Sequence, residues 1–223
     1  MRLLHSSDLH IGADGEGGFT RRWGRGIGDV VRQERVDTVL LAGDTYDSNR
    51  VPAEAIEQSV QWFESLDVPV VILPGNHDCY DERSVYLSPS FGRSGRIEVL
   101  CEAAGSSVSL FDGELQIWGR AHPDHGAAMR PLEGAPVERT ARWQIAMAHG
   151  HLVRSQHDRR RSYQIETSEI DGGEHDYVAL GHWDRYFQVD SQTPAYYSGS
   201  PSHTGHALLV ELGDCVEVRR VPL

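Results

Sequence analysis

The sequence predicts an α/β fold, and three observations carry that prediction. Short apolar runs flanked by charge or by glycine and proline recur through the first half of the 223 residues. Stretches with helical spacing separate them. The second half carries many short, closely spaced apolar runs and little helical periodicity. Strand–helix alternation followed by strands is the pattern of an α/β layer packed on further sheet.

The elements follow in order. Residues 2–8 (RLLHSSD) read as a strand ending in small polar residues. Phe19, Trp23, Ile27, Val30 and Val31 place a helix within 19–36. Residues 37–44 (DTVLLAGD) form a continuous apolar run, as in a strand covered on both faces. Residues 52–66 open on proline and set Ile56, Val60, Phe63 and Leu66 on one helical face. A further buried strand in 68–78 stops at Pro74-Gly75. Strands are then expected at 97–100, 106–111, 114–119, 144–149, 177–181, 187–190, 195–198, 207–212 and 215–221. The stretch 154–175, rich in glycine and charge, reads as a long loop. No repeat or linker interrupts the chain, so one domain over 1–223 is expected.

Composition narrows the setting. Three scattered cysteines form neither a disulfide framework nor a zinc cluster, which favours a reducing, cytoplasmic compartment. The opening MRLLHSSDLH has no apolar run of signal-peptide type, and no stretch approaches a membrane span. A net charge of −12 argues against broad nucleic-acid binding through surface charge, less so if bound cations offset it. The one dense basic run, RSQHDRRRSY (154–163), reads as a solvated loop in preference to a phosphate-binding one.

The polar residues fall in a pattern. Apolar runs stop at Asp8 and His10; at Asp44 and Asp47; at Asn76, His77 and Asp78; at His149 and His151; and at His182 and Asp184. Functional crevices of open α/β sheets lie beyond the carboxyl ends of the strands. Oxygen and imidazole donors gathered there are metal-ligand chemistry. Gly43 and Gly75, each before such a residue, allow tight turns and close backbone approach. Each motif alone is a common turn sequence; all of them in this order are not.

The set DLH (8–10), GDTYD (43–47), GNHD (75–78), HGH (149–151) and GHWD (181–184) resembles the calcineurin-like metallophosphoesterase superfamily, over residues 3 to about 201. RLLHSSDLHIG, YVALGHWD and YYSGSPS are similar to its SbcD-type DNA repair exonuclease branch. The resemblance implies a four-layer α/β-β/α sandwich of two mixed β-sheets flanked by helices, and two divalent metal ions. One ion would be held by Asp8, His10, Asp44 and Asp184, the other by Asp44, Asn76, His149 and His182, with Asp44 bridging. Mixed donors suit Mn²⁺, with iron and zinc as alternatives. A bridging hydroxide would attack phosphorus in line while His77, oriented by Asp78, protonates the leaving group. His151 competes with His149; the end of the apolar run and the family motif favour His149.

Two positions depart from the family. The last motif usually reads Gly-His-x-His, and here ends in Asp184; Asp47 stands where the nuclease branch often has histidine. Three functions fit: a phosphodiesterase or DNA exonuclease; a phosphatase acting on a small-molecule or nucleotide monoester; and a catalytically defective binding scaffold. The sequence stops near the expected last core strand, without the extension through which SbcD-type nucleases bind DNA and a partner, which favours small substrates. A phosphate ester, nucleic acid or nucleotide is the expected partner, no membrane is, and the sequence names no partner protein.

Overall fold

The computed structural model describes residues 1–13 and 23–223. Its first sheet contains β1 (Arg2–Ser6), β2 (Thr38–Ala42), β3 (Val70–Leu73) and β4 (Ile97–Val99), all parallel. The second contains β5 (Ser106–Leu110), β6 (Leu115–Gly119), β7 (Trp143–His149), β10 (Tyr177–Gly181), β11 (Phe187–Gln188) and β12 (Ala195–Tyr197). Between them in sequence, β8 (His151–Leu152) and β9 (Gln164–Ile165) form a small parallel pair. The last two strands, β13 (His206–Leu212) and β14 (Val216–Pro222), return to the first sheet. The sheet orders are β14-β13-β1-β2-β3-β4 and β11-β12-β10-β7-β6-β5. Both are mixed: β13 runs antiparallel to β1, and β5 antiparallel to β6.

Alternation along each strand separates the layers. Leu4, Val39, Leu41, Val70 and Ile72 face α1 (Arg25–Gln33), α2 (Ala53–Ser65) and α3 (Pro89–Arg93), meeting Ile27, Val31, Phe63 and Phe91. Their neighbours Leu3, Leu40, Val71 and Leu73 face the second sheet, against Ile117, Ile145, Met147, Tyr177 and Ala179. The far face of that sheet, with Ala146, Val178 and Leu180, is covered by Ile165 and by Ile170 of α4 (Thr167–Asp171). The result is the four-layer sandwich. It also explains the unbroken apolar runs: the central strands have no water-facing side.

Two expectations need correction. The helix expected within 19–36 is seen over Arg25–Gln33; Phe19 lies outside the described residues. The stretch 154–175 is not a bare loop. It holds β9 and α4, the latter closed by reciprocal bonds between Glu166 and Glu169 and their partner N–H groups. That capping pair uses glutamate at the N-cap, where Ser, Thr, Asp or Asn is the usual signal. Among the described residues no helix is long and apolar enough to cross a membrane.

The buried interface between the sheets sets the stability. Leu40→Ala, at a fully buried position between the sheets, should lower the unfolding free energy in urea by about 2–5 kcal/mol. Val137→Ala, 68% exposed, should change it by less than about 0.5 kcal/mol.

Candidate metal centre

Strands β1, β2 and β3 are parallel, as are β7 and β10, so their carboxyl ends collect along one edge of the sandwich. The loops leaving β1 and β2 then bond to each other: Asp8 N–H to Gly43 O at 3.0 Å, His10 N–H to Asp44 O at 3.1 Å, and Ile11 N–H to Thr45 O at 2.9 Å. Asp8 (φ 53°), His10 (φ 48°) and Asp44 (φ 51°) are all left-handed, and His182 has φ 100°. Non-glycine residues occupy that region rarely, and then mostly where surrounding structure imposes it for function.

Asp44 is the hub. Its Oδ1 accepts the His77 N–H at 2.9 Å, and its Oδ2 lies 3.1 Å from His149 Nε2. Two groups of converging donors share it: Asp8, Asp44 and His149, all buried, and His10, Asp44 and His77. Asn76 Oδ1 lies 3.2 Å from His149 Nε2 and 3.0 Å from His182 Nδ1. The His182 N–H points at both Asp8 carboxylate oxygens, at 3.2 and 3.1 Å. Ser7 Oγ donates to Asp8 Oδ2 at 2.5 Å and also meets Ser198 Oγ.

The tautomer of His149 shows what this arrangement requires. Its Nδ1 lies 2.9 Å from the Ala42 carbonyl, which can only accept, so Nδ1 carries the proton. Nε2 then presents a lone pair to Asp44 Oδ2 and Asn76 Oδ1, two further acceptors. Three acceptors can face one another this closely only around a cation, a proton or a divalent metal. The electrostatics agree. Burial works against a charged His149, but Asp44 and Asp8 outweigh it and raise its pKa to about 9. For Asp44 burial is likewise outweighed, and His149 holds its carboxyl below the usual range. Burial raises Asp8 to about 6, and burial with the nearby His149 lowers His182 to about 3. The residues therefore fit a bound divalent cation.

The glycines act as expected. Gly43 (φ 90°) packs against His149 Nδ1, where a Cβ would overlap the ring. A Cβ on Gly75 would displace Asp44 Oδ1.

Other expected residues sit elsewhere. Asp184 joins neither donor group; its side chain is 59% exposed and lies 3.8 Å from His203 Nδ1. Asp8 falls in the same donor group as His149, and His77 in that of His10. His151 is turned away: it accepts from Trp183 Nε1–H at 3.1 Å and lies 3.5 Å from Asp158. Asp78 does not orient His77. It is fully buried and accepts from Gly75 N–H (2.7 Å), Tyr46 N–H (3.0 Å) and Tyr86 OH (2.5 Å), locking the loop instead. His77 is oriented by the Asp47 carbonyl, 2.9 Å from its Nδ1, which leaves Nε2 free. His122 went unassigned in the sequence. It is fully buried and donates to the His149 carbonyl at 2.7 Å, its ring edge-on to His149. Its position just past a strand, in WGRAH, is the same signal that marks the other site residues.

Comparison with known proteins places this geometry. A family model described as calcineurin-like phosphoesterase matches residues 1–186. The SbcD component of the nuclease SbcCD from Bacillus subtilis (strain 168) is 28% identical, over 96% of this chain and 66% of that protein. The DNA double-strand break repair protein Mre11 of Aeropyrum pernix is 34% identical, over 89% of this chain and 53% of that one. The chain thus spans between half and two thirds of these relatives' lengths. Two crystal structures share the fold at 12% identity. They are TT1561 of Thermus thermophilus (TM-score 0.65, 98% of both chains) and a dimetal phosphatase from Danio rerio (TM-score 0.62, 100% of this chain and 96% of that one). The chain belongs to the calcineurin-like phosphoesterases.

Proposed function

We propose that the protein is a two-metal phosphodiesterase acting on nucleotide phosphodiesters, in the manner of a nuclease. The observation that carries the reading is Asp44, one buried carboxylate shared by two groups of converging donors. The similarity to the SbcD and Mre11 proteins, whose names are those of a nuclease component and a DNA repair protein, supports the diester over the monoester. We read the chain as one catalytic domain, working in the cytoplasm, with Mn²⁺ as the native ion.

In this proposal Asp8, His10, Asp44, Asn76, His149 and His182 would hold the metals, with Asp44 common to both donor groups. Asp184 stands at the rim, where its exposed carboxylate faces His203. When bound, two divalent ions would supply charge neutralisation on the phosphoryl oxygens and an acidified water. The protein does the rest. The Ala42 carbonyl fixes the His149 tautomer. The Asp47 carbonyl accepts from His77 Nδ1–H and holds the ring at the exposed mouth, so that the imidazolium form can give its Nε2 proton to the leaving oxygen and keep the one on Nδ1.

The first test is hydrolysis of bis-p-nitrophenyl phosphate against p-nitrophenyl phosphate by metal-stripped protein titrated with Mn²⁺. Diester turnover should rise with Mn²⁺ and fall more than about 100-fold in Asp44→Asn, since even residues that only support ligands are worth about 10–100-fold. Preference for the monoester would move the protein to the phosphatases; no turnover of either ester would favour a binding scaffold. Asp184→Ala should keep the metal stoichiometry by calorimetry, because Asp184 joins neither donor group. Gly75→Ala, which pushes on Asp44, should weaken Mn²⁺ binding about 10–100-fold in the same titration.

Metal binding should also depend on pH. Below about 9 the metal-free His149 holds a proton on the nitrogen that faces Asp44, and a metal must displace it. Mn²⁺ affinity should therefore rise with pH towards 9, with proton release at pH 7.5 that fades above it. Calorimetry in buffers of different ionisation enthalpy reads this directly.

A further inference from the structure

The centre opens on one side into a cleft of ≈ 470 Å³ lined by His182, Trp183, Phe187, His151 and two arginines, Arg154 and Arg185. Elsewhere on the surface, arginines such as Arg130, Arg139 and Arg159 face carboxylates at 2.7–2.9 Å. Among the described residues, neither the Arg154 nor the Arg185 guanidinium has an ion pair or a hydrogen-bond acceptor. Asp184 is the one carboxylate lining the cleft, and it faces His203 rather than either arginine. The cleft therefore carries one more fixed cation than anion, in a chain of net charge −12.

Arg154 is not a loose surface side chain. Its guanidinium lies 4.9 Å over the Trp183 ring and 5.6 Å from the Phe187 ring. Trp183 is itself fixed. Its ring stacks on Tyr197 at 4.3 Å and 13°, and its Nε1–H bonds to His151. Tyr197 OH is tied to the Gly150 carbonyl at 2.8 Å. The ordering entropy of one guanidinium is thus largely met before a ligand arrives, and its N–H edges are left to bind. The Trp183 ring is already engaged by Tyr197 and by Arg154, so the cleft offers an anion site rather than a free aromatic platform for a base. Trp183 follows His182 in the chain, so this anion site adjoins the metal centre.

We propose that Arg154 and Arg185 form a subsite for a second phosphate. The preferred substrate is then a phosphodiester flanked by another phosphate, as in a nucleotide chain, rather than an isolated ester. The inference rests on the phosphodiesterase reading and narrows it. It also separates Arg154 from the rest of the basic run, in which Arg159 pairs with Glu166.

The test compares a thymidine dinucleotide carrying a terminal phosphate with the same dinucleotide lacking it. Mn²⁺-loaded wild type, Arg154→Gln, Arg185→Gln and, as control, Arg160→Gln are assayed. The kcat/KM ratio between the two substrates should favour the phosphorylated one and should fall about tenfold in each cleft variant, the order expected for one charge-assisted hydrogen bond. It should hold in Arg160→Gln, an exposed arginine of the same run outside the cleft. A ratio near one in wild type, or one that survives the Arg154→Gln/Arg185→Gln double variant, overturns the subsite. If neither dinucleotide is hydrolysed, the phosphodiesterase reading fails separately, and calorimetric binding of the two dinucleotides then decides the subsite. Tighter binding of the phosphorylated one that weakens about tenfold in the cleft variants supports it; equal binding overturns it.

Discussion

One hydrogen bond organises the centre: His149 Nδ1–H to the carbonyl of Ala42, 2.9 Å across the two sheets. Ala42 ends β2 and His149 ends β7, so the bond joins the layers at the edge where the strands finish. It keeps one proton on Nδ1 and leaves Nε2 facing Asp44 and Asn76, where that nitrogen holds either a proton or a metal. Gly43 leaves room for the imidazole, and His122 holds the backbone of His149 from behind. Exchanging the sheet-to-sheet bond for a bond to water would free the ring to turn, and the cation site would lose its deepest nitrogen.

The other constraint is backbone strain. Asp8, His10, Asp44 and His182 all have positive φ. Conformations of this kind cost on the order of 1–3 kcal/mol each. They persist because the loops after β1 and β2 are bonded to each other and because Asp78, fully buried, accepts three hydrogen bonds around the third loop. A rigid cage for donors is thereby built from loops, which are ordinarily the soft part of an α/β protein.

The fold was largely legible because the central strands have two covered faces and read as continuous apolar runs. The meeting of Asp8, His10, Asp44, Asn76, His149 and His182 was legible for a related reason: each follows a strand whose end lies at one edge. What escaped was anything decided by direction rather than position. Asp78 follows His77 in sequence yet turns inward to Tyr46 and Tyr86. His151 lies two residues from His149 and points to Trp183. Asp184 occupies a motif position while its carboxylate faces out. The helix at Thr167–Asp171 escaped because its cap is glutamate, and Arg154 because a basic run does not reveal which member has an aromatic bed beneath it.

The place of β1 has a consequence for how the chain is made. Its residues Leu3–Ser6 pair on one side with β2, and Arg2–His5 pair on the other with residues 208–211 of β13. That second partner is about 200 positions later, one of the longest-range pairings the sheet contains. Contacts of such sequence separation slow folding, because loop closure must come first. During synthesis the Asp8 loop can therefore be seated on one side only, until β13 has left the ribosome. Up to that moment β1 is an open edge strand with apolar residues on both faces, the form of intermediate most exposed to aggregation.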